Sequence, residues 1–119
     1  MATLLISGSD GTNDPTMASL PFMAAGAAKA QGHDVVIWLW NEAVTLARRG
    51  TAEHIQGVNL KLLGDVLADV VTAGIPIWVC SACAVARNVA LEDLVTGAVI
   101  KEMPDYIEAV TERDRLIPY

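Results

Sequence analysis

Cys80 and Cys83 are the only cysteines in the chain of 119 residues, and they stand three positions apart. A disulfide between them would close a loop too small to restrain the unfolded chain, so their spacing points to chemistry and not to stapling. The thiolate is the reactive form of cysteine, and the exposed N–H groups at the start of a helix favour it. If Cys80 ends a strand and a helix follows, Cys80 is primed as a nucleophile. Cys83, one turn later, is then within reach of a persulfide or disulfide formed on Cys80. Arg87 lies a further turn along, where its fixed charge would assist thiolate formation or bind an anionic group. Packing is the competing reading, because free cysteine is among the most buried residue types. A zinc site would need His33 or His54 to join the two thiols, and the paired ligand spacing of a zinc motif is missing, so no metal is expected.

Other residues carry weaker signals. The segment Gly8 to Pro15 is almost wholly turn-forming, and Asn13 and Asp14 within it could line a site. It lacks both the G-x-G-x-x-G fingerprint and a Gly-Lys-Ser/Thr ending, so an ordinary strand-to-helix loop is favoured over a nucleotide cradle. Glu42 follows a second strand and Ser81 follows Cys80, which brings both toward the same end of a sheet. His54 lies in a polar stretch, where a solvated surface histidine is more common than a catalytic one. Trp38, Trp40 and Trp78 fall in strand-like runs and read as core or interface residues.

The elements that must hold these residues follow from periodicity. Thr3 to Ser7 and Val35 to Trp40 are apolar runs of the kind buried on both faces of a parallel sheet, and Ile75 to Val79 is a third, with Pro76 tolerable only at its start. Between them, Met17 to Gln31 is Ala-rich and stopped by Gly32, with Asp14 or Thr16 available as its cap and Pro21 expected to delay or kink it. From Asn59 onward, Leu60, Leu63, Leu67, Val70 and Val71 recur at helical spacing up to Gly74. Asn41 to Ala47 reads as a short helix capped by Asn41, and 82–88 as a helix capped by Ser81. Ala98 to Ile100, Pro104 to Thr111 and Leu116-Ile117 complete the series as strand, helix and strand. Alternation of this kind predicts a single three-layer α/β domain over 1–119, with a mainly parallel sheet of about five strands and helices on both faces. Ligands of such sheets bind beyond the carboxyl ends of the strands, where the loops after the first three strands meet.

Composition limits the partners. Fourteen acidic residues against eight basic ones give a net charge of −6, and the basic residues are scattered except for Arg48-Arg49, which argues against nucleic acid. No apolar run approaches the roughly 18–20 residues of a membrane span, and no Lys/Arg segment precedes the first apolar run as in a signal peptide. A cytoplasmic protein with reduced thiols is expected. The 53% apolar share exceeds the usual soluble composition, and an interface between copies is the natural destination of the surplus.

The segment Ile77-Trp78-Val79-Cys80-Ser81-Ala82-Cys83-Ala84-Val85-Ala86-Arg87 resembles the site region of DsrE/DsrF-like sulfur-relay proteins, including the YchN-like branch. Looser likeness extends over nearly the whole chain, through 11–15, 18–22, Glu42-Ala43-Val44, 53–58 and 114–117. The resemblance implies a small sulfur carrier in which the cysteine at Cys80 accepts sulfane sulfur as a persulfide, with Cys83 matching the second cysteine of the YchN-like branch. It further implies sulfur-donor and sulfur-acceptor proteins as partners, a homotrimer or homohexamer, and no cofactor. Asn88 stands where the family usually has glycine, a place that a left-handed backbone would suit. From the residues alone, a thiol-disulfide redox protein using Cys80 and Cys83, and a non-catalytic oligomeric binding or scaffold protein, remain as alternatives.

Overall fold

A computed structural model describes all 119 residues. Five strands form one sheet: β1 (Thr3–Gly8), β2 (Asp34–Leu39), β3 (Ile77–Cys80), β4 (Ala98–Lys101) and β5 (Arg115–Pro118). Their spatial order is β4-β3-β2-β1-β5, and every pairing is parallel. Four α-helices cross between them, α1 (Pro15–Ala30), α2 (Leu63–Thr72), α3 (Ser81–Ala86) and α4 (Met103–Glu112). The α/β class, the parallel sheet and helices on both faces agree with the expectation from sequence.

The order of the strands explains the layers. From β1 to β4 the chain steps in one direction across the sheet, so right-handed crossovers carry α1, α2 and α3 to one face; the last crossover jumps back past β1 to β5 and carries α4 to the other. Side chains confirm it. A Cβ on Gly8 would meet Pro21 of α1, whereas Tyr106 of α4 stacks on Trp38 with ring centroids 4.8 Å apart, and Gly8 and Trp38 belong to opposite faces of adjacent strands. The core runs through the central strand β2 and its neighbours: Leu5, Ile6, Val36, Ile37, Trp38, Leu39, Ile77 and Val79 are fully buried.

Local details correct several expectations. Asp14 is the α1 cap, its carboxylate accepting the Met17 N–H at 3.0 Å, and Pro21 sits inside that helix without ending it. The helical spacing from Leu60 overshoots the true start: Leu62 forms an antiparallel bridge with Gln56, and α2 begins at Leu63. Residues Asn41–Ala47 make a 3₁₀ helix, and neither capping expectation around the site holds. Trp40 takes the cap position ahead of Asn41, which is itself left-handed at φ +53, and Cys80 takes the cap position ahead of Ser81, which is the first residue of α3. Asn88 adopts φ +56, the left-handed conformation expected for it. No helix is long and apolar enough to cross a membrane.

Candidate functional site

The carboxyl ends of β1, β2 and β5 are drawn together by backbone hydrogen bonds. Trp40 N–H donates to the Gly8 carbonyl at 3.2 Å, Ala43 N–H to the Ser9 carbonyl at 3.3 Å and Tyr119 N–H to the Ser7 carbonyl at 2.9 Å. The Ser9 hydroxyl also donates to the Tyr119 carbonyl at 3.1 Å. Gly11 lets the first loop lie against the second: a Cβ there would come within 2.6 Å of the Glu42 carbonyl oxygen, so any side chain would push the loops apart.

The two thiols face different surroundings. Cys80 is 3% exposed and lines a cavity of about 290 Å³ with Ser81, Ala82, Glu102, Met103 and Pro104. Cys83 is half-buried and lines a second cavity, of about 400 Å³, with Ser7, Ser9, Trp40, Asn41 and Tyr119 among its walls. The second cavity lies where β1 and β5, adjacent in the sheet, are joined to the rest by crossovers on opposite faces, the switch point at which open α/β sheets hold ligands. Ser7 is 1% exposed there, and its Oγ has no hydrogen-bond partner.

Electrostatics separate the thiols further. Burial pushes the Cys80 thiol up; the Cys83 and Ala82 N–H groups pull it down, as expected at a helix start, while the neighbouring Cys83 side chain raises it again, and the net direction is upward. The expected thiolate-favouring environment at Cys80 is therefore not obtained, because desolvation outweighs the backbone dipoles. Cys83 instead receives a donor from outside its own helix, the Asn41 N–H, 3.1 Å from Sγ.

Arg87 holds that donor in place. Its Nε donates to Glu42 Oε1 at 2.6 Å, its Nη2 to Asn41 Oδ1 at 2.9 Å and its Nη1 to the Cys83 carbonyl at 3.3 Å. The guanidinium is thus engaged by Glu42 and by the two residues whose contact it braces, and it lines the site as a clamp. Cys83, Glu42 and Arg87 come together. The other expected site residues lie apart from this cluster: Asn13 braces its own loop through Gly11 N–H at 2.8 Å and Asp10 at 2.7 Å, Asp14 caps α1, and His54 is exposed on a 3₁₀ turn with no side-chain hydrogen bond to either cysteine or to Arg87. Sequence reasoning missed Ser7, Ser9 and Tyr119. The one available signal was a serine, Ser7, closing an otherwise apolar central strand.

A family model described as the DsrE/DsrF-like family matches residues 2–119. An uncharacterised protein of Methanocaldococcus jannaschii is 26% identical over 109 residues, a match that covers 92% of this chain and 40% of that protein, so the chain spans less than half the length of this relative. Among solved structures, the ychN protein of E. coli aligns over 100% of both chains with a TM-score of 0.84 at 17% identity. A protein of unknown function from Methanobacterium thermoautotrophicum aligns over 98% of this chain and 97% of its own with a TM-score of 0.69 at 15% identity. At these identities the two structures speak to the fold.

Proposed function

The chain belongs to the DsrE/DsrF-like family, and from that membership together with the geometry of its two thiols we propose that it is a sulfur carrier holding sulfane sulfur as a persulfide on the Cys80–Cys83 pair. The observation that carries the reading is that the only two cysteines lie one helical turn apart at the carboxyl end of the sheet, close enough to influence each other, and line two cavities. In this reading Cys80, by its place in the segment that resembles the family's site region, is the sulfur-bearing thiol, and its burial suits storage, since a persulfide shielded from water and stray thiols is lost slowly. Cys83 is the half-buried member that meets the outside.

The reaction needs no cofactor. A cysteine thiolate attacks the outer sulfur of a donor persulfide, the new S–S bond forms, and the donor leaves as its own thiolate with the electron pair of the broken bond. Donor and acceptor proteins, and a cytoplasmic setting that keeps the thiols reduced, belong to the same proposal. So does assembly as a homotrimer or homohexamer, which would cover apolar side chains now exposed, among them Val99, Met103, Ile107 and Leu116.

The test is to incubate the protein with a sulfurtransferase and its substrate and map bound sulfur by mass spectrometry. The wild type should gain a sulfur atom on the pair, and the double variant Cys80→Ser/Cys83→Ser none. A wild type that stays unmodified would rule out the carrier function, and sulfur found only on Cys83 would remove Cys80 from the storing role.

A further inference from the structure

Each thiol opens into a cavity of its own. Cys83 faces the cavity of about 400 Å³ at the carboxyl ends of β1 and β5, and Cys80 the one of about 290 Å³ built by the first turns of α3 and α4, beyond β3 and β4. The two linings have no residue in common, and β2 lies between the two strand pairs. Trp40, a wall of the first cavity, packs on Tyr106 with ring centroids 5.0 Å apart, and the helix that carries Tyr106 walls the second cavity with Met103 and Pro104. The two sulfurs are nevertheless close enough to act on each other, the Cys83 side chain pushing the Cys80 thiol up. Their surroundings also rank them as leaving groups. The Asn41 N–H, 3.1 Å from Cys83 Sγ, stabilises negative charge on that sulfur, whereas Cys80 is desolvated and has no donor from outside its own helix. A thiol whose anion is better stabilised leaves faster, so sulfane sulfur moves from Cys83 to Cys80 more readily than back.

We propose, resting on the carrier function, that sulfur crosses the protein between two mouths: a donor cysteine persulfide enters the Cys83 cavity, the sulfur passes from Cys83 to Cys80, and an acceptor cysteine collects it through the Cys80 cavity. Donor and acceptor then do not compete for one opening. The Cys83 thiolate attacks the outer sulfur of the donor in its protonated form, R–S–SH. The Cys83 S–S bond forms, the donor S–S bond breaks, and R–S⁻ leaves with the electron pair while the proton stays on the transferred sulfur. Cys80 releases its proton to water and attacks the outer sulfur of the Cys83 persulfide, and Cys83 departs as a thiolate beneath the Asn41 N–H. The acceptor thiolate attacks the outer sulfur on Cys80 in the same way, and Cys80 leaves as a thiolate and regains a proton from water. Every step exchanges one S–S bond for another, so no oxidant or reductant is consumed.

One single-cysteine peptide serves as both probes, its persulfide as donor and an isotope-labelled copy as acceptor, so that the chemistry offered at the two mouths is equal. Sulfur is mapped on each cysteine by mass spectrometry at short times. In wild type it should appear on Cys83 before Cys80; Cys80→Ser should load Cys83 at the wild-type rate, and Cys83→Ser should load at least about tenfold more slowly. Two exposed wall residues allow each mouth to be narrowed by itself. Pro118→Trp should slow loading about fivefold, while delivery to the acceptor from protein preloaded with inorganic polysulfide stays at the wild-type rate; Ala82→Trp should do the reverse. Thermal midpoints identify a wall variant that has lost its fold, in which case the order of loading in the cysteine variants decides alone. Sulfur arriving first on Cys80, wild-type loading of Cys83→Ser, or a folded wall variant that slows loading and delivery alike would overturn the two-mouth relay and leave the carrier function standing. A wild type that takes sulfur from neither the peptide nor a sulfurtransferase, or that ends as a Cys80–Cys83 disulfide with release of hydrogen sulfide, would overturn both.

Discussion

The backbone N–H of Asn41 donates to the sulfur of Cys83 across 42 residues of sequence, at 3.1 Å, from a residue held in the left-handed conformation at φ +53. The donor comes from the turn after β2 and not from the helix that carries the cysteine. Its direction depends on a torsion angle that only a few residue types tolerate.

That torsion gives a first prediction. Asn41→Gly should keep the turn and the N–H contact, because glycine accepts positive φ, and should lose only the side-chain bond to Arg87. Asn41→Val should destabilise the protein by roughly 1–3 kcal/mol, because a β-branched residue resists this region, and should slow alkylation of Cys83. Thermal melts together with peptide-mapped alkylation rates check both variants, and equal behaviour of the two would mean that the torsion does not matter.

A second prediction concerns the clamp. Arg87→Lys keeps the charge but cannot reach Glu42, Asn41 and the Cys83 carbonyl together, so it should cost roughly 1–2 kcal/mol and slow Cys83 alkylation several-fold. Urea titration and the alkylation rate provide the measurements. An unchanged alkylation rate would show that the guanidinium does not govern the position of Asn41.

The two thiols should differ in reactivity. At neutral pH iodoacetamide should modify Cys83 at least about tenfold faster than Cys80, since Cys80 is 3% exposed and its thiol is pushed up by burial. Peptide mapping of a time course measures this directly, and the reverse order would count against Cys83 as the outward-facing thiol.

Burial of Cys80 also sets a pH dependence. Its folded pKa lies above the unfolded value of about 8.5, so the folded state binds this proton more tightly; the contribution to stability is fully present below about pH 8.5 and is lost as the pH rises through the folded value. The thermal midpoint should fall on the alkaline side, and Cys80→Ala should fall less. Tyr106, whose phenol is also raised by burial, acts in the same direction at higher pH, so the variant should retain part of the slope. Parallel pH profiles of wild type and variant would contradict the assignment to Cys80.

Gly11→Ala should damage the site from a distance. Its Cβ would stand 2.6 Å from the Glu42 carbonyl oxygen, and relief requires the two loops to separate. We expect a loss of about 1–3 kcal/mol together with slower Cys83 alkylation, read by melting and peptide mapping. A stable variant with normal Cys83 reactivity would mean that the loops are independent.

The parallel sheet was legible because Val35 to Leu39 and Ile77 to Val79 are runs too apolar and too β-branched to be anything but buried strands, and the helical spacing from Leu63 to Val70 is equally plain. The cysteine pair was legible by type and spacing. What could not be read was which thiol faces outward, because exposure depends on α4 covering one side of the sheet at Tyr106 and Met103, far away in sequence. Asn41 and Ser81 looked like caps because polar residues before helices usually are; the turn after β2 uses the tolerance of asparagine for positive φ, and Cys80 itself occupies the cap position ahead of α3. Ser7 was hidden by the neighbours that bury it, since a hydroxyl at the end of an apolar run reads as the edge of a strand.

The placement of β5 beside β1 also bears on how the pocket is closed. Pro118 and Tyr119 supply a wall of the cavity that Cys83 lines, yet they pair with residues more than a hundred positions earlier. Enclosure of the half-buried sulfur is thus a long-range property: the residues that neighbour Cys83 in sequence cannot complete it until the chain has crossed back past β1 to lay down 115–119.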